Sequence, residues 1–233
     1  MKKTLKILAF FFFIGILILH FYIPRIITDV KNPLTEVKID NVKLPEEVVT
    51  KYFMSFDGYK QYYNLRHSNQ PVVKGTIILL HGIRSRKKQY LELSRYLSLR
   101  GYNTVALDLR AHGSSEGVHC TFGVKEKRDV ASLIDELYSL GLENNLGVWG
   151  QSLGGAVAIQ STAFDDRIQF AIVESTFTDL KTITTDYMEL NLDFRSENLS
   201  DYLVRRAGEI AEFNPNEANP LISCKEITVP VLM

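Results

Sequence analysis

The residues best suited to chemistry form one short run, Gly150-Gln151-Ser152-Leu153-Gly154, which fits the pattern G-x-S-x-G. An apolar run precedes it and small residues follow it, so the sequence predicts a strand, a sharp turn and a helix. Such a turn strains the serine backbone, and only glycine avoids a collision at the two outer positions. The hydroxyl would stand beside free N–H groups at the helix N-terminus, which favour negative charge. We therefore predict that Ser152 is a nucleophile.

A nucleophilic serine needs a base, and every histidine of this chain precedes Ser152. Chains with this turn normally carry nucleophile, acid and base in the order Ser, then Asp or Glu, then His. The run Ile227–Met233 is typical of the start of a buried strand, and no later residue is given. We therefore expect the acid and the base beyond position 233, in a longer protein of which this sequence is a C-terminally incomplete copy. The histidines are His20, His67, His81, His112 and His119.

The composition indicates a single globular domain. The chain has 233 residues, of which 45% are hydrophobic, and its formal net charge is zero. That length and composition suffice to bury a full core. The sequence has no stripe of Lys and Arg residues that would indicate a nucleic-acid partner. Cys120 and Cys224 show no metal-ligand spacing, so we expect no metal, and we favour free thiols over a disulfide between them.

The first 27 residues have the composition of a membrane anchor. An uncharged apolar run follows Lys2, Lys3 and Lys6, continues to Ile23 and ends before Pro24. The run lies in length between a signal-peptide core and a spanning helix of about 20 residues, and no small-residue cleavage pattern follows. We therefore favour a retained, single-pass anchor over a removed signal. The lysines predict that the domain lies outside the cytoplasm, on the periplasmic or extracellular side of a bacterial membrane.

Residues 28–48 are predicted to be a tether, and residues 49–233 a domain in which strands alternate with helices. This order is typical of an α/β fold with a mostly parallel sheet and helices on both faces. The order changes over residues 176–226, which we predict to be a helical cap above the site. The seventh strand would then be truncated, with the last strand and helix missing. The predicted strands are 49–56, 59–65, 76–80, 103–107, 146–149, 170–173 and 227–233. One predicted helix has Tyr90, Leu93, Tyr96 and Leu97 on one face, and a second, amphipathic helix has Val130, Leu133, Ile134 and Leu137.

Several ordered motifs resemble the α/β-hydrolase superfamily. They are the pair His81-Gly82, the run from Asp108 to Ser115 with Arg110, His112 and Gly113, the serine turn, and the run Glu174-Ser175-Thr176-Phe177. Within the superfamily the chain is similar to bacterial serine hydrolases of the monoacylglycerol lipase and serine aminopeptidase type. The resemblance covers Val49 to Met233 and implies the α/β-hydrolase fold.

The resemblance also implies roles for residues around Ser152. The backbone N–H groups of Ile83 and Leu153 would form the oxyanion hole, Gly82 would permit the tight turn before Ile83, and His81 would hold that loop. An ion pair between Asp108 and Arg110 would brace the site, with His112 as a fixed hydrogen-bonding residue. Weaker alternatives are His112 or His119 as a substitute base and Glu174 as the acid, whereas Asp179 is predicted to cap a helix.

These expectations favour a membrane-anchored serine hydrolase. Ser152 would attack a small-molecule ester or related acyl substrate and form an acyl-enzyme, with no cofactor. Dehalogenases of this fold use an Asp nucleophile, which the serine at position 152 disfavours. The rival hypothesis is an anchored, catalytically inactive binding protein with the same fold. Substrate identity rests on analogy alone, because one fold hosts many reactions.

Overall fold

The computed structural model describes residues 2–31 and 44–233. Within them, seven strands form one sheet in the order β1-β2-β4-β3-β5-β6-β7. The first two strands are antiparallel to their neighbours, and β4, β3, β5, β6 and β7 run parallel. The predicted α/β class with a mostly parallel sheet is confirmed. The strands are β1 Val48–Met54, β2 Lys60–Arg66, β3 Gly75–Leu80, β4 Tyr102–Leu107, β5 Leu146–Gln151, β6 Phe170–Glu174 and β7 Val231–Leu232.

Side chains of alternate residues in the central strands pack in two separate cores, one on each face of the sheet. Ile78 and Leu80 of β3 belong to the larger core, and Ile77 and Leu79 belong to the smaller one. All six residues of β3 are buried, as expected for a parallel strand that is covered on both faces. At the sheet edge, β1 and β2 turn at Gly58, whose φ of 86° suits the glycine of the predicted hairpin.

Helices cover both faces of the sheet. Helix α3 (Leu91–Ser98) packs on the smaller core, while α4 (Glu126–Ser139) and α5 (Leu153–Phe164) pack on the larger core. The predicted apolar face of α4 is fully buried. Tyr96 of α3 is 52% exposed, and the guanidinium of Arg100 lies over its ring, 3.4 Å from the ring centre.

Between β6 and β7 the chain forms a helical insertion, which we define as residues 176–226. It contains α6 (Leu180–Leu192), α7 (Glu197–Ala211) and the short α8 (Pro220–Ser223). Asp179 caps α6, because its carboxylate accepts a hydrogen bond of 2.8 Å from the Thr182 N–H, and the predicted cap is confirmed. Ser196 caps α7 in the same way through the Leu199 N–H.

The N-terminal segment is a continuous helix made of α1 (Lys2–Leu17), a π-helical turn (Ile18–Tyr22) and α2 (Ile23–Thr28). The stretch Lys6–Thr28 is long and apolar enough to cross a membrane. Most of its large apolar side chains are exposed; among them Phe12 is 72% exposed. Residues 32–43 of the predicted tether lie outside the described residues.

Residues at the end of this helix are packed into the domain. Thr28 is fully buried and Val30 is a member of the larger core. The Thr28 carbonyl accepts a hydrogen bond of 2.9 Å from the Cys120 N–H, and the Lys31 ammonium donates to the Ser115 carbonyl at 3.0 Å. Residues 28–31, which fall in the range predicted to be a tether, are therefore part of the domain's packing.

Candidate active site

Ser152 occupies a sharp turn between β5 and α5. Its φ and ψ are 54° and −116°, a conformation that a residue with a side chain adopts only at an energetic cost. The turn also explains its two flanking glycines. A Cβ on Gly150 would overlap the Gly154 carbonyl, and a Cβ on Gly154 would overlap the Leu80 carbonyl. The predicted strand, turn and helix are all present.

The backbone around Ser152 leaves N–H groups available. The Ser152 N–H donates to the Glu174 carbonyl at 2.8 Å, which fixes the turn against β6. The Ala156 N–H donates to the Ser152 carbonyl at 3.1 Å and closes the first turn of α5. The Leu153 N–H lies within that turn, where a helix provides no acceptor of its own. It is therefore free to bind an anionic oxygen.

The loop after β3 meets Ser152 from the other side. A Cβ built on Gly82 would lie 3.6 Å from the Cβ of Ser152, so this loop runs beside the serine. Ile83 follows Gly82, and Ile83, Ser152 and Leu153 all line one cavity. The structure thus brings together the serine and the two residues predicted to supply oxyanion-binding N–H groups.

The cavity has a volume of about 600 Å³, which is ordinary for a small-molecule site. Ser152 lies on one side of it, and most of the other lining side chains are apolar. They come from the Gly82–Arg84 loop, from the run after β6, from the segment before α4, and from α2, α5, α6 and α7. Its apolar and aromatic lining includes Ile23, Ile26, Ile27, Ile83, Phe122, Leu153, Phe177, Leu180, Ile183, Tyr187, Met188, Leu192 and Leu203.

His81 is a buried structural residue with a defined tautomer. Its Nε2 accepts a hydrogen bond of 3.1 Å from the Leu109 N–H, so Nδ1 must carry the proton and donate to the Gly82 carbonyl at 2.7 Å. Burial lowers the pKa of His81, which keeps the ring neutral. The ring therefore ties the Gly82 loop to the loop after β4, as the resemblance implied.

His112 lies against His81 with ring centres 4.9 Å apart. Its Nδ1 donates to the Arg110 carbonyl at 2.8 Å, and its buried Nε2 has no hydrogen-bond partner among the described residues. Burial, with a smaller contribution from His81, lowers the pKa of His112 to about 3. His112 is thus a neutral, fixed residue at neutral pH.

This neutral histidine predicts a loss of stability in mild acid. An unfolded histidine has a pKa near 6.5, so lowering the pH from 7 to 5 protonates His112 in the unfolded state only. We expect that effect to remove about 2 kcal/mol from the free energy of unfolding. Urea unfolding of the wild type and His112→Gln at both pH values tests this. An equal pH dependence in the two proteins would contradict the assignment.

The predicted ion pair between Asp108 and Arg110 is wrong. Asp108 accepts hydrogen bonds from the Lys87 N–H at 2.6 Å and the Ser114 N–H at 2.8 Å, and it pairs with the Lys87 ammonium. Arg110 extends instead toward α4, where it binds Asp129 at 2.6 Å. The two side chains leave the loop in different directions, and each finds a buried partner of opposite charge. Lys87 was missed because its partner is 21 positions away.

The side chains of Glu174 and His119, the alternative acid and one of the alternative bases, are bound to residues other than Ser152. Glu174 accepts a hydrogen bond of 2.6 Å from the Trp149 Nε1–H and lines a separate small cavity with Gln151. His119 pairs with Asp29 at 2.8 Å, where the N-terminal helix ends. Within residues 2–31 and 44–233, no histidine is hydrogen-bonded to Ser152 or Glu174.

Two further predictions concern metal and sulfur. The part of the chain that the structure describes contains no group of three or more His, Cys, Asp or Glu residues placed to hold a metal ion. Cys120 and Cys224 are free thiols. Cys120 is buried beside Glu126, and burial raises the pKa of its thiol well above the ordinary value, which keeps the thiol protonated at neutral pH.

Comparison with known proteins places the chain among hydrolases. Residues 71–229 match the family model described as serine aminopeptidase, S33. Protein bem46 of Schizosaccharomyces pombe is 31% identical over 137 residues, which cover 58% of this chain and 44% of that protein. An acyl transferase of Photorhabdus luminescens is 28% identical over 142 residues, covering 58% of this chain and 46% of its own length. The chain thus spans about half the length of these relatives.

The fold has a solved counterpart. The structure of the Pyrococcus furiosus esterase Pf2001 superposes with a TM-score of 0.62 and 25% sequence identity. The match covers 79% of this chain and 68% of the esterase chain. Together with the strand order and the serine turn, this confirms the predicted α/β-hydrolase fold. The chain belongs to the serine aminopeptidase S33 family of the α/β-hydrolase superfamily.

Proposed function

We propose that this protein is a serine hydrolase in which Ser152 is the nucleophile. The observation that carries the proposal is the backbone of Ser152, which is held at a φ of 54° beside the Gly82–Ile83 loop. Strain of this kind persists only where surrounding structure enforces it, and it is common at catalytic residues. Here it places Ser152 in the wall of an apolar cavity that Ile83 and Leu153 also line.

The geometry supports acyl transfer as the reaction. The Ser152 Oγ would attack the carbonyl carbon of an ester, and its proton would pass to a general base. The negative oxygen of the tetrahedral intermediate would accept hydrogen bonds from the Ile83 and Leu153 N–H groups. Collapse would release the alcohol and leave an acyl group on Ser152, which water would then remove.

The general base is the missing part of this mechanism. Every histidine hydrogen bond described above is to a residue other than Ser152, and His81 and His112 are locked in structural contacts. We therefore assign the base to a histidine, and the acid to a carboxylate, outside these 233 residues. The greater length of the relatives is consistent with this assignment.

The lining of the cavity favours an apolar acyl group. A hydrocarbon chain transferred from water into such a site gains about 0.8 kcal/mol for each buried CH₂. A peptide would instead leave amide groups without hydrogen-bond partners. We therefore favour small-molecule esters with a hydrocarbon acyl chain over peptides as substrates.

A fluorophosphonate probe tests the proposal. The probe forms a covalent bond with an activated serine oxygen and loses fluoride, so peptide mass spectrometry of the labelled full-length protein identifies the nucleophile. The adduct is expected on the peptide that contains Ser152. A binding protein of the same fold, which is the rival hypothesis, would remain unlabelled.

We also propose that the N-terminal helix anchors the protein in a membrane. A soluble helix usually buries an apolar stripe, yet here apolar side chains all around the helix, such as Phe10, Phe11, Phe12 and Phe13, are exposed. The lysines at its start would stay in the cytoplasm and leave the domain on the other side.

Carbonate extraction of cell membranes tests the anchor. The full-length protein should stay in the membrane pellet, because carbonate removes peripheral proteins but does not extract a protein with an inserted helix. Phe11→Asp/Phe12→Asp places two charges in the apolar stretch, each unfavourable by about 3 kcal/mol at a membrane centre, and should release the protein. Phe11→Leu/Phe12→Leu is the control that should remain bound. Release of the wild-type protein would contradict the proposal.

A further inference from the structure

One wall of the Ser152 cavity comes from outside the sheet and the helical insertion. Ile23, Ile26 and Ile27 of α2 line the same cavity as Ser152. The side chains of Ile183 and Met188, from α6, contribute to another wall. A predicted anchor has no structural reason to contribute side chains to a substrate cavity. The end of the N-terminal helix therefore has a position that anchoring alone does not explain.

The contact between this helix and the domain is built from specific bonds. The Arg84 guanidinium donates a hydrogen bond of 3.1 Å to the Ile26 carbonyl, and Arg84 directly follows Ile83 of the candidate oxyanion loop. His20 is hydrogen-bonded to Tyr202 of α7. Together with the burial of Thr28 and Val30, these bonds hold α2 in one place against the cavity.

The cavity is bordered by exposed apolar side chains on both sides. Ile26 of α2 is 46% exposed, and Tyr187 and Leu192 of α6 are 53% and 68% exposed, although all three line the cavity. Side chains that are exposed and also line a cavity mark its mouth. Two positions after Leu192 in the chain, Phe194 is also 51% exposed.

Helix length places the mouth at a membrane surface. The stretch from Lys6 to Leu19, which ends just before His20 contacts α7, measures roughly 20 Å at about 1.5 Å per residue and so crosses most of the apolar thickness of a bilayer, about 30 Å. Residues from His20 onward would then lie at the membrane surface, where the domain begins. The exposed apolar rim that begins at Ile26 would face the lipid.

We propose that the end of the N-terminal helix forms one wall of the acyl-chain site, and that the substrate is a long-chain acyl ester taken directly from the bilayer. The acyl chain would pass between α2 and α6, with Ile23 and Ile27 in contact with its methylene groups. The helix would thus select acyl chains by length in addition to anchoring the protein. This inference rests on the proposed hydrolysis at Ser152 and on the proposed membrane anchor.

Chain-length preference tests the wall. Ile23→Ala/Ile27→Ala in the full-length protein removes hydrocarbon from the cavity but keeps the Ile26 carbonyl that binds Arg84. We expect kcat/KM for p-nitrophenyl decanoate to fall about tenfold, and the value for p-nitrophenyl acetate to change less than about twofold. The matched control Ile7→Ala/Ile16→Ala lies on the same helix away from the cavity and should change neither value. An equal fall for both esters, or no fall, would overturn the proposal.

Photo-cross-linking separates this inference from the proposed reaction. The full-length protein and Ser152→Ala are placed in phosphatidylcholine vesicles that contain a long-chain acyl ester with a diazirine at the end of the chain. We expect cross-links on peptides from α2 and α6 in both proteins, because binding does not require the nucleophile. Cross-links without hydrolysis by the wild type would refute the proposed function alone. Hydrolysis at Ser152 without cross-links to α2 would refute this inference alone.

Discussion

Replacement of Ser152 by Ala is expected to lower the kcat of the full-length protein for ester hydrolysis by on the order of a millionfold. The variant keeps the N–H groups and the cavity but has no oxygen to bond to the acyl carbon. Its fold should remain intact, with a free energy of unfolding within about 1 kcal/mol of the wild-type value, because the removed hydroxyl serves the reaction and alanine fits the same space.

Ser175 provides the matched control for this experiment. It lines the same cavity and also has a positive φ, at 50°, but it is not followed by a helix N-terminus. Ser175→Ala should keep its kcat within about tenfold of the wild-type value, whereas Ser152→Ala should fall to the uncatalysed background. Hydrolysis of p-nitrophenyl esters measures both. Retained activity in Ser152→Ala would contradict the assignment of the nucleophile.

The second large effect is expected from Gly154→Ala. Helix propensity alone would favour this change by about 1 kcal/mol, since Gly154 lies in α5. The new Cβ would, however, overlap the Leu80 carbonyl of β3, which is backbone and cannot move without distorting the sheet. Overpacking should dominate, and we expect a net loss of about 3 kcal/mol in the free energy of unfolding.

Gly82→Ala is the control for that measurement. In contrast to the prediction, the turn before Ile83 does not require glycine: a Cβ at Gly82 would lie 3.6 Å from its nearest atom, an ordinary van der Waals distance, so we expect a change under about 1 kcal/mol. Urea unfolding of both variants gives the comparison. If Gly154→Ala is as stable as Gly82→Ala, the tight approach of α5 to β3 is not as described.

The sequence predicted the central part of the fold because its signals are local. Local structure follows from short patterns with little influence of distant residues: the apolar run of β3, the i, i+3, i+4, i+7 spacing of α4 and the glycines around Ser152. Asp179 was predicted as a helix cap for the same reason. Its carboxylate serves an N–H group only three residues later in the chain.

Long-range contacts are what sequence reasoning missed. Asp108 was paired with its near neighbour Arg110, yet folding brings each of them to a different buried partner. The cavity wall formed by Ile23 and Ile27 was missed because apolar residues in an N-terminal helix already had an explanation as an anchor. Their second contact depends on how α2 packs against the domain, which no spacing within the helix encodes.

A crystal structure of the full-length protein after reaction with a long-chain alkyl fluorophosphonate would test the nucleophile, the oxyanion hole and the acyl-chain site together. We expect phosphorus bonded to the Ser152 Oγ, with the phosphoryl oxygen about 3 Å from the Ile83 and Leu153 backbone nitrogens. We also expect the alkyl chain to lie between α2 and α6. An adduct on another residue, or a phosphoryl oxygen directed away from both N–H groups, would contradict these expectations.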